Sequence, residues 1–406
     1  MSDKATTGNS GPKVRSDCEV TLELTGSGGI TIDLQSKVKA LYGNSITDQC
    51  RKILEYFGIR NAYLNVNDCG ALPFVISARL EAAIVKLTGS DKQYLPEMSD
   101  NAHYQTDKER FRFSRLYLPG NNPALMINAG LHSADGIILD LEDSVALERK
   151  SEARILARNA LRQIDFYGAE RMVRINQGQK GLEDLHFVIP HNVNMVLVPK
   201  CESASEIKAV ESEINSVCRK SKLKNNVWLM PIIESAEGVE KCYEIITAGT
   251  SVAAVAIGLE DYTADIGVQR TFEGPESFYA RTRIVNAAKA VKIQPIDSVF
   301  SDVADMEGLA RNVAGSKALG FEGMGCIHPR QIAVIKQGFA PDTEEVEKAR
   351  KVVLAFEEAG RNGLGVVALG SKMIDQPVVN RARRTIDLAV RLGILSERWR
   401  ETEEKE

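Results

Sequence analysis

The chain has 406 residues, room for two or three domains, and its apolar fraction of 44% and charged fraction of 26% are those of an ordinary globular protein. A formal net charge of −4 argues against a nucleic-acid-binding or anionic-membrane-binding surface, and no apolar run reaches the roughly 18 residues of a membrane span. Seven scattered cysteines without a Cys-x-x-Cys pair favour reduced thiols in the cytoplasm over a disulfide framework or a zinc site.

The first part of the chain predicts a short leader and a small domain. Residues 1–14 are small and polar, without the apolar core of a signal peptide, and predict a disordered leader. Residues 15–87 predict a compact α+β domain. Two alternating runs around the Gly-rich turn 25–29 favour a β-hairpin, and a helix, a third strand and a second helix follow. Residues 88–111 are polar and aperiodic, which indicates a linker.

From residue 112 to residue 340 short apolar runs alternate with helix-length segments. The eight runs cover residues 116–118, 136–141, 172–175, 195–198, 227–233, 252–257, 293–296 and 323–327. Alternating strands and helices predict parallel βαβ units, and eight of them over this length match a (β/α)8 TIM barrel. A doubly wound sheet is the rival fold, but no predicted strand is followed by Gly-x-Gly-x-x-Gly.

Residues 341–406 lie outside the eightfold repeat. They contain two helical segments, 342–359 and 377–392, each followed by glycine. A C-terminal helical extension of this kind is expected to pack on a neighbouring chain or to cover a site.

Carboxylates follow several of the predicted strands. In a parallel barrel the strand ends that carry the active site meet at one face, so these side chains are expected to converge there. The polar residues at strand ends are Asp140, Glu142, Asp143, Arg174, Asn176, Lys200, Glu202, Glu234, Glu260, Asp261, Asp297 and His328. Glu234 and Asp261 end adjacent strands, and their oxygens favour Mg²⁺, because no cluster of His or Cys is available.

Arg174 is the cationic counterpart in this acidic ring. An arginine at a strand end can bind a carboxylate or a developing oxyanion with two hydrogen bonds. Metal and arginine together are suited to stabilising an enolate or alkoxide while a carbon–carbon bond breaks, whereas no Ser-His-Asp or Gly-x-Ser-x-Gly pattern indicates an acyl-enzyme.

Several strand-end residues also have plain structural interpretations. Asp140 is expected to tie down a loop, Glu202 to begin a helix, Glu260 to lie behind the metal ligands, and His328 to be a packed, hydrogen-bonded residue. Lys200, which follows Pro199 at the barrel rim, is either a Schiff-base lysine or a substrate contact.

Six motifs along residues 112–395 resemble the citrate lyase β-subunit and the citramalyl- and malyl-CoA lyases of the HpcH/HpaI aldolase superfamily. They are Leu139-Asp-Leu-Glu-Asp143, Val173-Arg-Ile-Asn176, Val198-Pro-Lys-Cys-Glu202, Ile233-Glu234, Gly258-Leu-Glu-Asp261 and Cys326-Ile-His-Pro329. The resemblance implies a Mg²⁺-dependent TIM barrel, assembled as a homotrimer or hexamer. It also implies cleavage of a 3-hydroxy-acyl thioester into a keto acid and an acetyl thioester.

This resemblance implies a role for each of the main site residues. Glu234 and Asp261 bind Mg²⁺, Arg174 binds the keto-acid part, and Glu142 and Asp143 lie near the metal and its waters. The segment Lys372-Met-Ile-Asp-Gln-Pro377 is similar to the family's C-terminal motif. Its acid, Asp375, would be supplied to the site of a neighbouring subunit for proton transfer.

The small domain resembles the γ-subunit of citrate lyase, its acyl carrier protein, at Ser36-Lys-Val-Lys-Ala-Leu-Tyr-Gly43, Val66-Asn-Asp-Cys-Gly-Ala-Leu72 and Ala78-Arg-Leu-Glu-Ala-Ala83. That family attaches a phosphoribosyl-dephospho-CoA arm to a serine. Here Arg15 occupies the expected position and Ser16 is one place late. Either Ser16 carries the arm, or the domain is vestigial and the barrel acts on free CoA thioesters. The loop Leu118-Pro-Gly-Asn-Asn-Pro123 also lacks the family's arginine.

Rival functions remain. The barrel could be an aldolase for free hydroxy-keto acids, or the chain could be a non-catalytic scaffold that docks on partners such as a citrate lyase α-subunit-like transferase. The self-repelling ring of carboxylates argues against a scaffold, which has no use for it.

Overall fold

The computed structural model describes residues 4–224, 226–361, 366–369 and 372–400. They form a small α+β unit, an eight-stranded parallel barrel and a helical extension. None of the helices in these ranges is long and apolar enough to cross a membrane.

The N-terminal unit is a four-stranded sheet covered by two helices. Its elements are β1 (Lys4–Gly8), β2 (Cys18–Leu24), β3 (Ile30–Ser36), α1 (Lys39–Tyr56), β4 (Ala62–Asp68) and α2 (Pro73–Thr88). The strand order is β1-β2-β4-β3, and β3 runs parallel to β4. Alternate side chains of β2 and β4, such as Leu22 and Leu64, are buried in a core with Ile53 of α1.

Two features of this unit differ from the sequence-based expectation. Residues 4–8 of the expected disordered leader form a strand that pairs antiparallel with β2, and the Thr7 hydroxyl donates to the Arg79 carbonyl over 2.7 Å. The expected hairpin is wrong, because β4 lies between β2 and β3. The strand with buried Ala62, Leu64 and Val66 takes the central position, where both its edges are paired.

The second unit is the predicted TIM barrel, which is confirmed. Its eight parallel strands are β5 (Ser114–Pro119), β6 (Gly136–Asp140), β7 (Glu170–Arg174), β8 (Met195–Val198), β9 (Trp228–Ile233), β10 (Ala254–Ile257), β11 (Gln294–Ile296) and β12 (Met324–Cys326). Each strand from β5 to β10 pairs with the next along the chain, and β12 pairs with β5. An isolated bridge between Asp297, just after β11, and Met324 of β12 closes the barrel. The inner faces of the strands carry an apolar layer that includes Met172, Met195 and Met230.

Helices surround the barrel. They are α3 (Pro123–Met126), α4 (Lys150–Gln163), α5 (Gly178–Val188), α6 (Ala204–Lys220), α7 (Ala236–Ile246), α8 (Leu259–Asp265), α9 (Phe278–Ala290), α10 (Met306–Leu319) and α11 (Arg330–Phe339). Their apolar faces and the outer faces of the strands form one continuous core. Because the chain alternates strand and helix, every strand ends at the same face of the barrel.

Buried ion pairs fix the small unit to the barrel. Arg158 of α4 donates to both carboxylate oxygens of Glu81 of α2, each over 2.7 Å, and both side chains are almost fully buried. Arg79 of α2 donates to both oxygens of Asp17 over 2.9 Å and to the carbonyl of Asn121, in the loop that follows β5. The Arg158–Glu81 pair and the Arg79–Asn121 hydrogen bond hold the small unit against α4 and the loop after β5.

The expected linker is in close contact with the barrel along part of its length. The Arg171 guanidinium donates to the carbonyls of Ala102 and Tyr104, and the indole of Trp228 donates to the carbonyl of Thr106 over 2.8 Å. Barrel side chains therefore donate hydrogen bonds to the linker. The polar composition of the linker alone does not predict these contacts.

The C-terminal extension is a helical pair, α12 (Thr343–Arg361) and α13 (Gln376–Arg391), with two short strands, β13 (Val367–Leu369) and β14 (Lys372–Ile374), between them. It has its own apolar cluster, which includes Val353, Ile386 and Trp399. The end of α13 touches the barrel, where Arg391 donates to the carbonyl of Glu109 and stacks over Phe111.

Candidate active site

A cavity of about 370 Å³ lies at the carboxyl ends of the barrel strands. Its polar lining comes from β5, from the ends of β6, β7, β9 and β11 and from the start of α8. The charged side chains that line it are Arg115, Asp140, Asp143, Arg174, Glu234, Glu260, Asp261 and Asp297. The structure therefore brings most of the predicted strand-end residues to one cavity.

Asp140 and Arg174 end neighbouring strands and form a bidentate pair. The Nε and Nη2 atoms of Arg174 donate to the two carboxylate oxygens of Asp140 over 2.6 and 2.7 Å. Burial opposes ionisation of Asp140, but these bonds outweigh it and lower its pKa. Asp140 also accepts the backbone N–H groups of Glu142 and Ser144. It therefore fixes both the loop after β6 and the direction of Arg174, the structural role expected for it.

Glu142 and Asp143 lie beside this pair in different environments. Arg174 Nη1 is 3.1 Å from Glu142 Oε2 and 3.4 Å from Asp143 Oδ2. Glu142 is buried, and burial raises its pKa. The side chain of Asp143 is half exposed; burial raises its pKa, but Glu142, Arg174 and Lys200 together hold it below the usual value. Asp143 is therefore ionised at neutral pH.

Lys200 connects the acidic residues. Its ammonium is 3.4 Å from Glu142, 3.3 Å from Asp143 and 3.6 Å from Asp261. Burial opposes its charge, but these three carboxylates raise its pKa above the usual range. A Schiff-base lysine needs a lowered pKa, so the environment of Lys200 favours a charged contact to substrate or carboxylate instead.

Glu234 is the most perturbed carboxylate in the cavity. It is 6% exposed and accepts the backbone N–H of Lys200 over 2.9 Å. Burial raises its pKa to about 7. Gly258 makes room for it, because a Cβ at position 258 would come within 2.3 Å of Glu234 Oε1. The glycine that precedes α8 therefore allows the Glu234 carboxylate to reach the cavity.

Asp261 lies in the first turn of α8, and its side chain is half exposed. Among the described residues, no group of three or more His, Cys, Asp or Glu is arranged to hold a metal. Two carboxylates fit Mg²⁺, which retains several waters or substrate oxygens in its shell. Nearby Asp261 and Glu142 add to the burial effect on Glu234, and a divalent cation would offset this repulsion.

Other predicted residues have structural contacts. Asn176 donates to Asp184 over 2.7 Å, His328 Nδ1 accepts the N–H of Arg330, and the N–H of Glu202 donates to Glu206 within a capping box at α6. Pro199 follows β8 directly and precedes Lys200. Asp297 reaches the cavity lining but is hydrogen bonded to Arg281 and Ser316.

Two further predicted residues, from the C-terminal extension and the small unit, also lie outside the cavity lining. Asp375 caps α13 by accepting the N–H of Val378 over 3.2 Å. Ser16 is half-buried in a left-handed conformation with φ 58°, and its N–H donates to the Cys69 carbonyl. Neither side chain lines the cavity of its own chain.

The sequence analysis missed the β5 residues in the cavity. Arg115 and Tyr117 line it, and the Arg174 guanidinium lies 5.5 Å above the Tyr117 ring. The signal was the alternation on β5, whose inward positions 115 and 117 are occupied by residues with polar groups.

Two family models match the chain. The model described as HpcH/HpaI aldolase/citrate lyase matches residues 114–329, and the acyl-carrier model described as malonate decarboxylase delta subunit matches residues 5–87. Citrate lyase subunit beta of Escherichia coli (strain K12) is 37% identical over 302 residues, 73% of this chain and 99% of the relative. The mitochondrial citramalyl-CoA lyase of Homo sapiens is 34% identical over 322 residues, 76% of this chain and 94% of the relative.

A solved structure is also similar. The protein CitE from Mycobacterium tuberculosis, crystallised with magnesium, acetoacetate and coenzyme A, is 28% identical with a TM-score of 0.57. The alignment covers 70% of this chain and 99% of that one.

Proposed function

Because this chain belongs to the HpcH/HpaI aldolase/citrate lyase family, we propose that it is a Mg²⁺-dependent lyase that cleaves a carbon–carbon bond in a 3-hydroxy-acyl-CoA thioester. The observation that carries the proposal is the common cavity of Glu234, Asp261 and the aligned Arg174. The products are a keto acid, namely oxaloacetate, pyruvate or glyoxylate, and an acetyl thioester.

The acidic pair would hold the cation. Glu234 and Asp261 would bind Mg²⁺, which when bound supplies a Lewis acid for the hydroxyl and carboxylate oxygens of the substrate. Arg174 binds the carboxylate of the keto-acid part, and Asp140 keeps its guanidinium aligned. Lys200 and Pro199 lie at the rim, where Lys200 contacts the substrate or the acidic residues.

A retro-Claisen cleavage needs a base and an acid. Asp143 is ionised and half exposed, so it can take the proton of the 3-hydroxyl. As the new carbonyl forms, the bond to the α-carbon of the thioester breaks and its electron pair moves to that carbon as an enolate. Asp375 of a neighbouring subunit would then supply a proton to that carbon, and we propose that the chain acts as a homotrimer or hexamer. Glu142, which is buried beside Arg174, positions Asp143 and the guanidinium.

We assign free CoA thioesters as the substrates. Ser16 is one place away from the family's attachment serine. The neighbouring Asp17 is held by buried hydrogen bonds from Arg79, which also donates to the Asn121 carbonyl of the barrel. Mass spectrometry of the purified protein tests this assignment. The polypeptide mass alone supports free CoA, whereas an added phosphoribosyl-dephospho-CoA would make Ser16 a carrier site and favour a citrate lyase α-subunit-like partner in the cytoplasm.

Substrate assays test the activity itself. Purified protein with Mg²⁺ is expected to cleave at least one of citryl-CoA, citramalyl-CoA and malyl-CoA, and Asp261→Ala is expected to abolish the reaction while leaving the circular dichroism spectrum unchanged. Cleavage of a free 4-hydroxy-2-oxo acid, with no thioester cleaved, would instead assign an aldolase. If neither the thioesters nor the free hydroxy-keto acid is cleaved, the result would favour the non-catalytic scaffold.

A further inference from the structure

One charged side chain in the barrel is not used by the chemistry above. Arg115 projects from β5 into the barrel interior and is 1% exposed. Its surroundings belong to the apolar layer inside the barrel, where Met172 and Met230 are fully buried. A guanidinium in such a layer is costly unless hydrogen-bond acceptors or an anion compensate it.

The described residues offer Arg115 little compensation. Its Nη1 atom donates to the sulfur of Met230 over 3.0 Å, a weak acceptor, and its Nε has no partner. Glu170 is the carboxylate that most affects it, but Arg112 and Thr106 already donate to both oxygens of that residue. Burial lowers the pKa of Arg115 to about 10, so it still carries its proton at neutral pH.

The active-site cavity extends down to this charge. Arg115, Tyr117, Ile232, Ala256 and Gly325 line its inner part, below the carboxylates at the strand ends. Small residues keep this path open, since a Cβ at Gly325 would come within 3.0 Å of the Tyr117 ring. Arg115 is paired with Gly136 at the start of β6, and Asp140 ends that strand about 13 Å higher, at ~3.3 Å per residue. The long side chain of Arg115 spans part of the distance between its own level in the barrel and that of Asp140.

We propose that Arg115 binds a second carboxylate of the substrate, so that this lyase prefers 3-hydroxy-acyl thioesters whose keto-acid fragment is a dicarboxylate. The inference rests on the proposed function, because it places the keto-acid fragment between Arg174 and the barrel interior. A small carboxylate fits this position, whereas the CoA nucleotide is too large for the closed end of a cavity of about 370 Å³ and must lie toward the mouth.

The binding of two keto acids, measured separately, tests the proposal. Fresh oxaloacetate and pyruvate differ by one carboxylate, and their dissociation constants are measured from thermal shifts with Mg²⁺ present. Wild-type protein is expected to bind oxaloacetate about tenfold more tightly or better, from the strength of a charge-assisted hydrogen bond. In Arg115→Met this ratio is expected to fall close to one. An equal ratio in both proteins, or no preference in the wild type, would overturn the proposal.

A matched control and a second measurement distinguish ligand binding by Arg115 from a structural role of this residue in the barrel. Met230→Leu removes the sulfur acceptor but keeps the charge, so the ratio is expected to stay as in the wild type. Without ligand, Arg115→Met is expected to melt at a higher temperature, because an apolar side chain replaces an uncompensated buried charge. A lower melting temperature would show that Arg115 stabilises the barrel and would contradict a ligand-binding role. Absence of thioester cleavage refutes the proposed function alone, since the keto-acid ratio is measured by binding.

Discussion

At the scale of single residues, the site depends on a carboxylate in an unfavourable place. Glu234 is 6% exposed, with Asp261 and Glu142 close enough to disfavour its charge further. Within the described part of the chain, the backbone donor to its carboxylate is the N–H of Lys200. The protein therefore retains a group whose ionised form is stabilised when a cation binds.

This environment predicts a pH dependence of stability. The pKa of Glu234 is raised from 4.5 in the unfolded chain to about 7 in the fold. A raised carboxyl pKa contributes stability below pH 4.5 that is lost as the pH rises to about 7, by about 3 kcal/mol. In metal-free protein, Glu234→Gln is expected to remove this part of the pH dependence of the unfolding free energy.

Urea unfolding at several pH values between 4.5 and 8 measures the difference between wild type and Glu234→Gln. Saturating Mg²⁺ is expected to restore wild-type stability at pH 8 but not that of the variant. A wild-type stability that rises from pH 5 to pH 7 relative to the variant would contradict the raised pKa.

Gly258 offers a second residue-scale prediction. A methyl group there would meet Glu234 Oε1 at 2.3 Å, so Gly258→Ala is expected to turn the carboxylate away from the cavity. Since φ at Gly258 is −107°, alanine itself fits the backbone, and the effect is on the site. Mg²⁺ affinity is expected to fall about tenfold or more, from the loss of one charged ligand contact.

Isothermal titration with Mg²⁺ measures this change. Gly315→Ala is the matched control, because no atom lies within 4 Å of a Cβ at that helical position. Equal Mg²⁺ affinity in Gly258→Ala and the wild type would show that Glu234 is not placed by this glycine.

Sequence alone predicted the ring of acids because apolar runs that end in Asp or Glu are visible locally. The alternation on β5 indicates that Arg115 faces inward, but its shortage of strong acceptors could not be predicted, because that depends on residues from other strands, including Met230 and Glu170. The same holds for Gly258, whose importance follows from a close contact with a side chain on the preceding strand.

At the scale of elements, helix α2 and helix α4 join the two units. Glu81 and Arg158 form a doubly hydrogen-bonded pair with both side chains buried, and Asn159 donates to the Phe74 carbonyl across the same interface. Such an interface specifies one arrangement of the units. A carrier domain that must travel between active sites would need a weaker attachment.

The interface predicts a strong asymmetry between single and double substitutions. Arg158→Met leaves the buried Glu81 carboxylate without its main partner, at a cost of about 3–5 kcal/mol. The double variant Glu81→Leu/Arg158→Met is expected to recover most of this loss, because an apolar pair replaces the ion pair. Urea unfolding compares the three proteins, and a double variant no more stable than the single one would refute the interpretation.

The elements themselves were largely predictable, but their neighbours were not. All eight barrel strands were predicted, since each is a short apolar run between helical segments. The order β1-β2-β4-β3 was not predicted, because strand pairing is non-local. The sequence of the turn 25–29 does not show that β4 lies between the two strands that flank this turn. Strand β1 lacks an apolar period and is stabilised by pairing with β2.

At the scale of the whole molecule, the extension carries Asp375 away from the cavity of its own chain. That carboxylate caps α13, and the extension has a separate apolar cluster. In our proposal it completes the site of a neighbour, which makes the active unit an oligomer.

Mixing two inactive variants tests this arrangement. Asp375→Ala and Asp261→Ala subunits, unfolded together and refolded at equal amounts, place an intact Asp375 beside an intact Asp261 at about a quarter of the sites of a cyclic assembly. About a quarter of wild-type turnover is therefore expected, with each variant alone close to inactive. Mixtures as inactive as their parents would place Asp375 in the site of its own chain, and an active Asp375→Ala protein would place it outside catalysis.

The proposed lyase needs Glu234 and Asp261 to hold one divalent cation, which a titration of metal-free protein with Mn²⁺, followed by electron paramagnetic resonance, measures. We expect one Mn²⁺ per chain, displaced by Mg²⁺, and loss of that site in both Glu234→Gln and Asp261→Asn. Retention of the Mn²⁺ site with unchanged affinity in both variants would contradict this expectation.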